Sequence, residues 1–191
     1  MDDPHARLRE DPELGPLVEE HGPIDLDPAD EPFERLVVSV INQQLSTESA
    51  AAIRERVFEQ CEVTPAGMLA ADETVLREAG LSSQKTEYVR NLAREFEAGR
   101  LSRERLAAMS NDEAVAALTE VKGVGTWTAK MALVFVLARE DVFPVEDLGI
   151  RKAMAVLYGF EEDEREAMVE HAERWRPYRS YASRYLWRAV D

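Results

Sequence analysis

The chain has one cysteine, Cys61, and only three histidines among its 191 residues. A lone thiol excludes an internal disulfide and any zinc or iron-sulfur site built from several thiolates. His5, His21 and His171 lack the i, i+3 or i+4 spacing that sets two ligands on one helix face, so no metal and no other cofactor is expected. Long apolar runs are missing as well. The longest, Met131 to Ala138, falls far short of the roughly 20 residues that a membrane-crossing helix needs. The opening MDDPHARLRED has neither the basic nor the apolar stretch of a secretion signal, which gives a cytoplasmic expectation. No segment alternates apolar and polar residues as a half-buried strand would.

Basic charge is also scarce, with 23 Lys and Arg against 38 Asp and Glu for a net charge of -15. Taken whole, that balance argues against a phosphate-bearing partner, because phosphate binding rests on Lys and Arg. Its distribution changes the reading. Residues 1 to 34 hold twelve acids against Arg7 and Arg9, whereas residues 122 to 191 hold twelve acids against eleven bases. The C-terminal third is therefore where an anion can dock. Only four of the bases are lysine, and a Lys-poor acidic surface suits solubility in concentrated salt. A halophilic adaptation and a plain solvated acidic face both fit that composition.

What the sequence does have is helical periodicity. Phe33, Leu36, Val37, Val40 and Ile41 recur at i, i+3, i+4, i+7 and i+8, and Tyr88, Val89, Leu92 and Phe96 recur similarly. Ser46, Asp72, Ser82 and Ser110 stand where helices should start, the last with a Glu113 at capping-box spacing. Gly80, Gly99 and Gly159 stand where helices should stop. The pattern predicts an all-α fold of about ten short helices. The acidic leader, to about Glu34, either packs as a first helix or stays loose. Met131 to Ala138 is apolar on every side, so as a helix it would be buried and surrounded by others.

Three segments carry chemistry. In Leu118-Thr-Glu-Val-Lys-Gly-Val-Gly-Thr-Trp-Thr-Ala-Lys130, a helix begun at Ser110 meets Gly123-Val-Gly125 and a new helix starts at about Thr126. Glycine accepts positive φ and lets backbone N-H groups approach a partner closely; with the next helix's N-terminus they can cradle a phosphate, flanked by Lys122 and Lys130. A tight helix-helix turn would also need glycine. Next, in Asp141-Val-Phe-Pro-Val-Glu-Asp-Leu-Gly-Ile150, Pro144 halts the chain and Asp147 precedes a helix over 148 to 158. Asp147 reads as an N-cap, or as a carboxylate kept ionised by that helix N-terminus and aimed at a reacting centre; the two are compatible. Last, residues 174 to 188 hold five arginines, five aromatics and no acid. A helix starting near Pro177 would set Ser180, Ser183, Arg184 and Trp187 on one face, with room for a flat ligand against the indole. Trp175, Tyr181, Tyr185 and Trp187 also fit a core role.

With these segments in hand, the chain resembles the DNA-3-methyladenine glycosylase II family of helix-hairpin-helix DNA glycosylases. The likeness runs from about Asp11 to Trp187. It includes Val40-Ile-Asn-Gln-Gln-Leu-Ser46 with Ala50-Ala-Ala52, Gly80-Leu-Ser82 with Lys85 and Tyr88, Val121-Lys-Gly-Val-Gly-Thr-Trp-Thr-Ala129, Asp141-Val-Phe-Pro144 with Asp147, and Trp175-Arg-Pro-Tyr-Arg-Ser180. It implies one domain over 1 to 191, in the compact all-helical form, made of two helical subdomains with a cleft between them.

The resemblance further implies a monofunctional glycosylase that releases alkylated bases of the 3-methyladenine and 7-methylguanine type from double-stranded DNA in the nucleoid, with a monomer as the default expectation. It makes Asp147 the catalytic carboxylate and Trp127 and Trp187 the aromatic pocket. Met131 stands where some relatives place a third aromatic. Gln44 would plug the vacated base stack, and Gln43 would line the pocket or face the opposite strand. Gly123, Gly125, Thr126, Lys122 and Thr128 would grip phosphate. Relatives that also cut the backbone carry a lysine where this chain has Trp127, and a Schiff base requires an amine. A non-catalytic DNA-binding module and a glycosylase for oxidised or deaminated bases are the alternative readings.

Overall fold

The computed structural model describes residues 3–190, and among these there are thirteen α-helices, one short 3-10 turn and no strand. The chain begins with α1 (Pro4–Arg9) and α2 (Leu14–His21). Next come α3 (Pro32–Asn42), α4 (Thr47–Gln60), α5 (Pro65–Ala70), α6 (Glu73–Glu78) and α7 (Ser83–Glu97). Then follow α8 (Arg103–Ala107), α9 (Asn111–Thr119) and α10 (Thr126–Phe135). The chain closes with α11 (Leu148–Tyr158), α12 (Arg165–Ala172) and α13 (Arg179–Arg188), the 3-10 turn Glu173–Trp175 preceding the last. Helices outnumber the ten or so expected because α1, α5 and α8 have only five or six residues, too few for a 3.6 period to show, whereas the equally short α6 was marked by its Asp72 cap. No helix of the described residues is long and apolar enough to cross a membrane.

The chain forms two compact units: Ala29–Leu137 makes one, and the segments up to Pro28 and from Ala138 make the other. In the central unit, α3 buries Phe33, Leu36, Val37, Val40 and Ile41, all the apolar positions its spacing marked. Helix α3 packs on α4, α7 and α10, and α9 also packs on α10. Helix α10 buries six of its ten residues. It ends at Phe135 rather than Ala138: the Phe135 carbonyl accepts the Ala29 N-H at 2.8 Å, and the Arg35 guanidinium covers its ring at 4.2 Å.

In the unit formed by the two ends of the chain, the acidic leader is packed. Leu8, Leu14 and Val18 are wholly buried and join Ile150, Met154 and Tyr185 in one core. Burial of each large apolar side chain stabilises the fold by about 1.5–3 kcal/mol. Within this core lies a carboxylate. Asp11 accepts the Trp175 indole N-H and the Tyr158 hydroxyl, both at 2.8 Å, and the amides of Glu13 and Leu14 at 3.0 and 3.1 Å. Burial by itself would raise the Asp11 pKa, but these donors outweigh it and hold the group below 3.8. Burial, and then the same pairing with Asp11, push the Tyr158 phenol well above its ordinary 10.

Candidate functional site

The carboxylate turn is built from the residues around Pro144. The Asp147 N-H donates to the Pro144 carbonyl at 2.9 Å, and Arg151 sends NH1 back to the carbonyls of Val145 and Glu146 at 3.2 and 2.6 Å. Asp147 is extended at φ -71 and ψ 130 and caps α11, its Oδ1 accepting the Ile150 amide at 3.0 Å. A second donor reaches that oxygen, the Trp187 indole nitrogen at 2.8 Å. Room for the indole comes from Gly149. A Cβ there would lie 3.0 Å from Asp147 Oδ1 and 3.1 Å from Trp187 Cδ1. Thus Asp147 both caps a helix and is held as an acceptor by an aromatic donor.

Around this turn the sequence expectations need two corrections. Helix α13 begins at Arg179, after the N-H groups of Tyr178 and Ser180 have bonded the carbonyls of Trp175 and Glu140. Ser180 and Ser183 do lie on it, but both are fully buried. Ser180 accepts the Val142 N-H at 3.0 Å and donates to the Arg139 carbonyl, while Ser183 donates to Arg179. The serines therefore pack the unit and make no slot for a flat ligand. Nor is the arginine run a bare anion dock. Arg179 grips Asp141 through Nε at 2.5 Å and NH2 at 3.1 Å, and Arg176 bonds Asp141 and Glu173 at 3.0 and 2.7 Å. These ion pairs fix the Asp141 end of the segment that leads to Asp147.

The hairpin lies in the central unit, between α9 and α10. Helix α9 has the capping box expected at Ser110 and Glu113. Helix α10 starts differently, with Gly125 at its N-cap and no side chain capping its first turn. Backbone N-H groups of a first turn have no partner inside their own helix, so the start of α10 is a donor cluster suited to an anion. Gly123 has φ +103, and a Cβ on it would fall 2.1 Å from Tyr88 Cγ. Conformation and close approach both require glycine there.

The other candidate residues are placed as follows. Gly125 and Thr126 are exposed at the hairpin tip. Thr128 is almost wholly buried and its hydroxyl accepts the Gln43 amide at 2.9 Å, so its side chain serves the interior of the unit rather than its surface. Lys122 is exposed with Nζ 2.7 Å from Glu87, which raises its pKa, and a phosphate would have to compete with that carboxylate. Trp127 is half-buried, whereas Met131 is 4% exposed and belongs to the core of its unit. Gln43 spends its amide nitrogen on Thr128 and on the Gly123 carbonyl at 3.0 Å. Gln44 is exposed and has a left-handed backbone at φ +57.

Gly149 and Arg151 are site residues that the sequence reading missed. A glycine in the first turn of a helix, where alanine would be favoured by about 1 kcal/mol, was the available signal for the first. Arg151 gave none, because nothing in a sequence shows that its side chain folds back on carbonyls five and six residues earlier.

Comparison with known proteins gives a consistent result. The family described as HhH-GPD superfamily base excision DNA repair protein matches residues 37–177. DNA-3-methyladenine glycosylase 1 of Schizosaccharomyces pombe is 33% identical over 165 residues, covering 83% of this chain and 72% of that protein. The structure of a 3-methyladenine DNA glycosylase from the same yeast, in complex with abasic DNA, is similar at TM-score 0.88 and 30% identity, covering 97% of this chain and 95% of that one. A DNA-3-methyladenine glycosidase from Bacillus halodurans is similar at TM-score 0.81 and 34% identity, covering 98% and 89%. With the family match taking in most of the described residues, from α3 through the hairpin to Pro177, the chain belongs to the HhH-GPD superfamily of base excision DNA repair proteins.

Proposed function

We propose that the protein is a monofunctional DNA glycosylase that releases alkylated bases such as 3-methyladenine and 7-methylguanine from duplex DNA. The observation that carries this reading is Asp147, a helix-capping carboxylate whose Oδ1 takes donors from both Ile150 and Trp187. Phosphate binding alone would not call for such a group. The resemblance to proteins named for 3-methyladenine supports the substrate class.

An alkylated purine of this kind carries positive charge, so its glycosidic bond is already weakened and departure needs little acid assistance. The work left to the enzyme is to swing the nucleotide out of the stack and to stabilise the oxocarbenium-like sugar. Asp147 supplies the negative charge for the sugar and orients water. Trp187, beside the carboxylate, offers its ring face to an electron-poor base, a contact strengthened by desolvation. The Trp187 N-H is already engaged with Asp147, so this side chain can hold the carboxylate by its edge while its face remains the stacking surface. Gln44 fills the vacated stack, and Gly123, Gly125 and the α10 N-terminus hold the phosphates. Trp127 occupies the position where a lyase has its amine, so backbone cleavage is not part of the reaction.

The test is to incubate the protein with methylated duplex DNA and to measure free base and strand breaks before and after alkali. Released methylpurine with breaks only after alkali supports the reading. Breaks without alkali, with a covalent enzyme–DNA adduct when borohydride is added to reduce the Schiff base, would overturn the monofunctional assignment. Preference for 8-oxoguanine or uracil would overturn the substrate class, and DNA binding without any base release would favour a non-catalytic module.

A further inference from the structure

The Gln44 loop raises a mechanical question. A residue that fills a gap in a base stack must be held rigidly, yet Gln44 is exposed, follows the end of α3 and has a non-glycine left-handed backbone. Its support comes from α7. The Lys85 ammonium donates to the Ile41 carbonyl at 2.6 Å and to the Gln43 carbonyl at 2.7 Å. These are groups that the last turn of α3 leaves without helical partners, and a cation is favoured at that end of a helix dipole. Burial lowers the Lys85 pKa, so the ammonium is held there at a cost in hydration that the two carbonyl bonds offset.

The same helix face reaches the hairpin. Tyr88, three residues after Lys85, fills the space beside Gly123 that any Cβ would need. Gln43 closes the circuit, its amide nitrogen donating to the Gly123 carbonyl and to Thr128 in the first turn of α10. Lys85 thus holds the Gln43 backbone while the Gln43 side chain holds the hairpin.

We propose that Lys85 and Gln43 are positioning residues for nucleotide flipping: they lock the Gln44 loop in register with the Gly123 hairpin, so that the plug and the phosphate grip move as one body. This rests on the reading of Gln44 as the plug. It also gives Gln43 a role other than lining the base pocket. Gripping the backbone fixes where the plug enters the duplex, and an unanchored loop would let it miss the gap.

The experiment uses the full chain with Gln44→Ala, Lys85→Met, Gln43→Met and the doubles with Gln44→Ala. Single-turnover methylpurine release is measured from a fully paired duplex and from one with the lesion opposite an abasic site, where flipping costs least. A 2-aminopurine beside the lesion reports unstacking, and thermal melting of each variant is recorded. Gln44→Ala is expected to slow the paired duplex about tenfold and the pre-loosened one less than about threefold. Lys85→Met and Gln43→Met should show the same split with a reduced 2-aminopurine signal, and should add less than about twofold to Gln44→Ala, because they act through it. Gln43→Met cuts the circuit without touching α7, and so decides the matter if Lys85→Met fails to fold. Equal slowing on both duplexes, or effects that multiply with Gln44→Ala, would overturn the proposal while leaving the plug intact. If Gln44→Ala leaves the paired duplex unaffected, the plug reading falls, and this inference falls with it.

Discussion

The indole nitrogen of Trp187 and the amide of Ile150 meet on one oxygen of Asp147, at 2.8 and 3.0 Å. One donor comes from the helix that Asp147 caps and the other from a helix forty residues later in sequence, so the carboxylate is fixed from two sides. Asparagine would keep Oδ1 as an acceptor for both while removing the charge. Because Asn and Asp are about equal as N-caps, Asp147→Asn should melt close to the parent protein. Its base-release rate should fall about 100- to 1000-fold, the scale of losing one preorganised electrostatic group, with DNA affinity retained. Trp187→Phe, which removes one donor, should cost about tenfold. Single-turnover release and a binding titration on the same duplex check both variants; unchanged release in Asp147→Asn would remove Asp147 from the chemistry.

Gly149 separates activity from stability. It is in the first turn of α11 at an ordinary helical φ, where alanine would favour the helix by about 1 kcal/mol. The added methyl, though, would press on Asp147 Oδ1 and Trp187 Cδ1, displacing one or both by a few tenths of an ångström. Gly149→Ala should therefore melt near or above the parent protein and lose about tenfold in base release, since small misplacements of a reacting group are costly. A variant fully active at unchanged stability would show that the indole and carboxylate have freedom to adjust.

How much of this was legible beforehand depends on the range of each interaction. The helices over α3, α4, α7 and α11 were marked by periodicity and caps, which are local signals, and the structure places them within about two residues of those marks. The hairpin glycines and Asp147 were found through ordered motifs. What stayed hidden depends on pairs distant in sequence. The arginines of residues 174 to 188 read as a basic patch because Asp141, which pairs with Arg176 and Arg179, lies 35 and 38 residues before them, and Glu173, which pairs with the same two, falls one residue outside the segment. The pairing of Gln43 with Gly123 across eighty residues is equally invisible to any periodicity.

Asp11 makes acid stability predictable. Its folded pKa is depressed, so its bonds to Trp175, Tyr158, Leu14 and Glu13 contribute fully above the unfolded value near 3.8 and are lost as pH falls through the lower folded value. Asp11→Asn would set an N-H group against donors and should cost about 1–3 kcal/mol at neutral pH. The gap in melting temperature between parent and variant should be constant from pH 7 to about 5 and narrow below about 4. Melting curves across that range check this, and a gap that widens in acid would mean that another group governs the transition.

Gly123→Ala tests the hairpin. The position has φ +103, which an L side chain rarely adopts, and the methyl would overlap the Tyr88 ring at 2.1 Å. Backbone strain and overpacking each cost about 1–3 kcal/mol, so the variant should melt well below the parent. Gly125 differs, with an ordinary φ of -89 and nothing within 4 Å of a built Cβ. Gly125→Ala should therefore leave stability nearly unchanged, and any loss would appear in binding, where a methyl at the helix N-cap stands between the backbone donors and a phosphate. The decisive comparison is DNA affinity against melting temperature for the two variants. If Gly125→Ala binds undamaged duplex as tightly as the parent, over a range of salt concentrations, the tip of the hairpin is not where the phosphate sits.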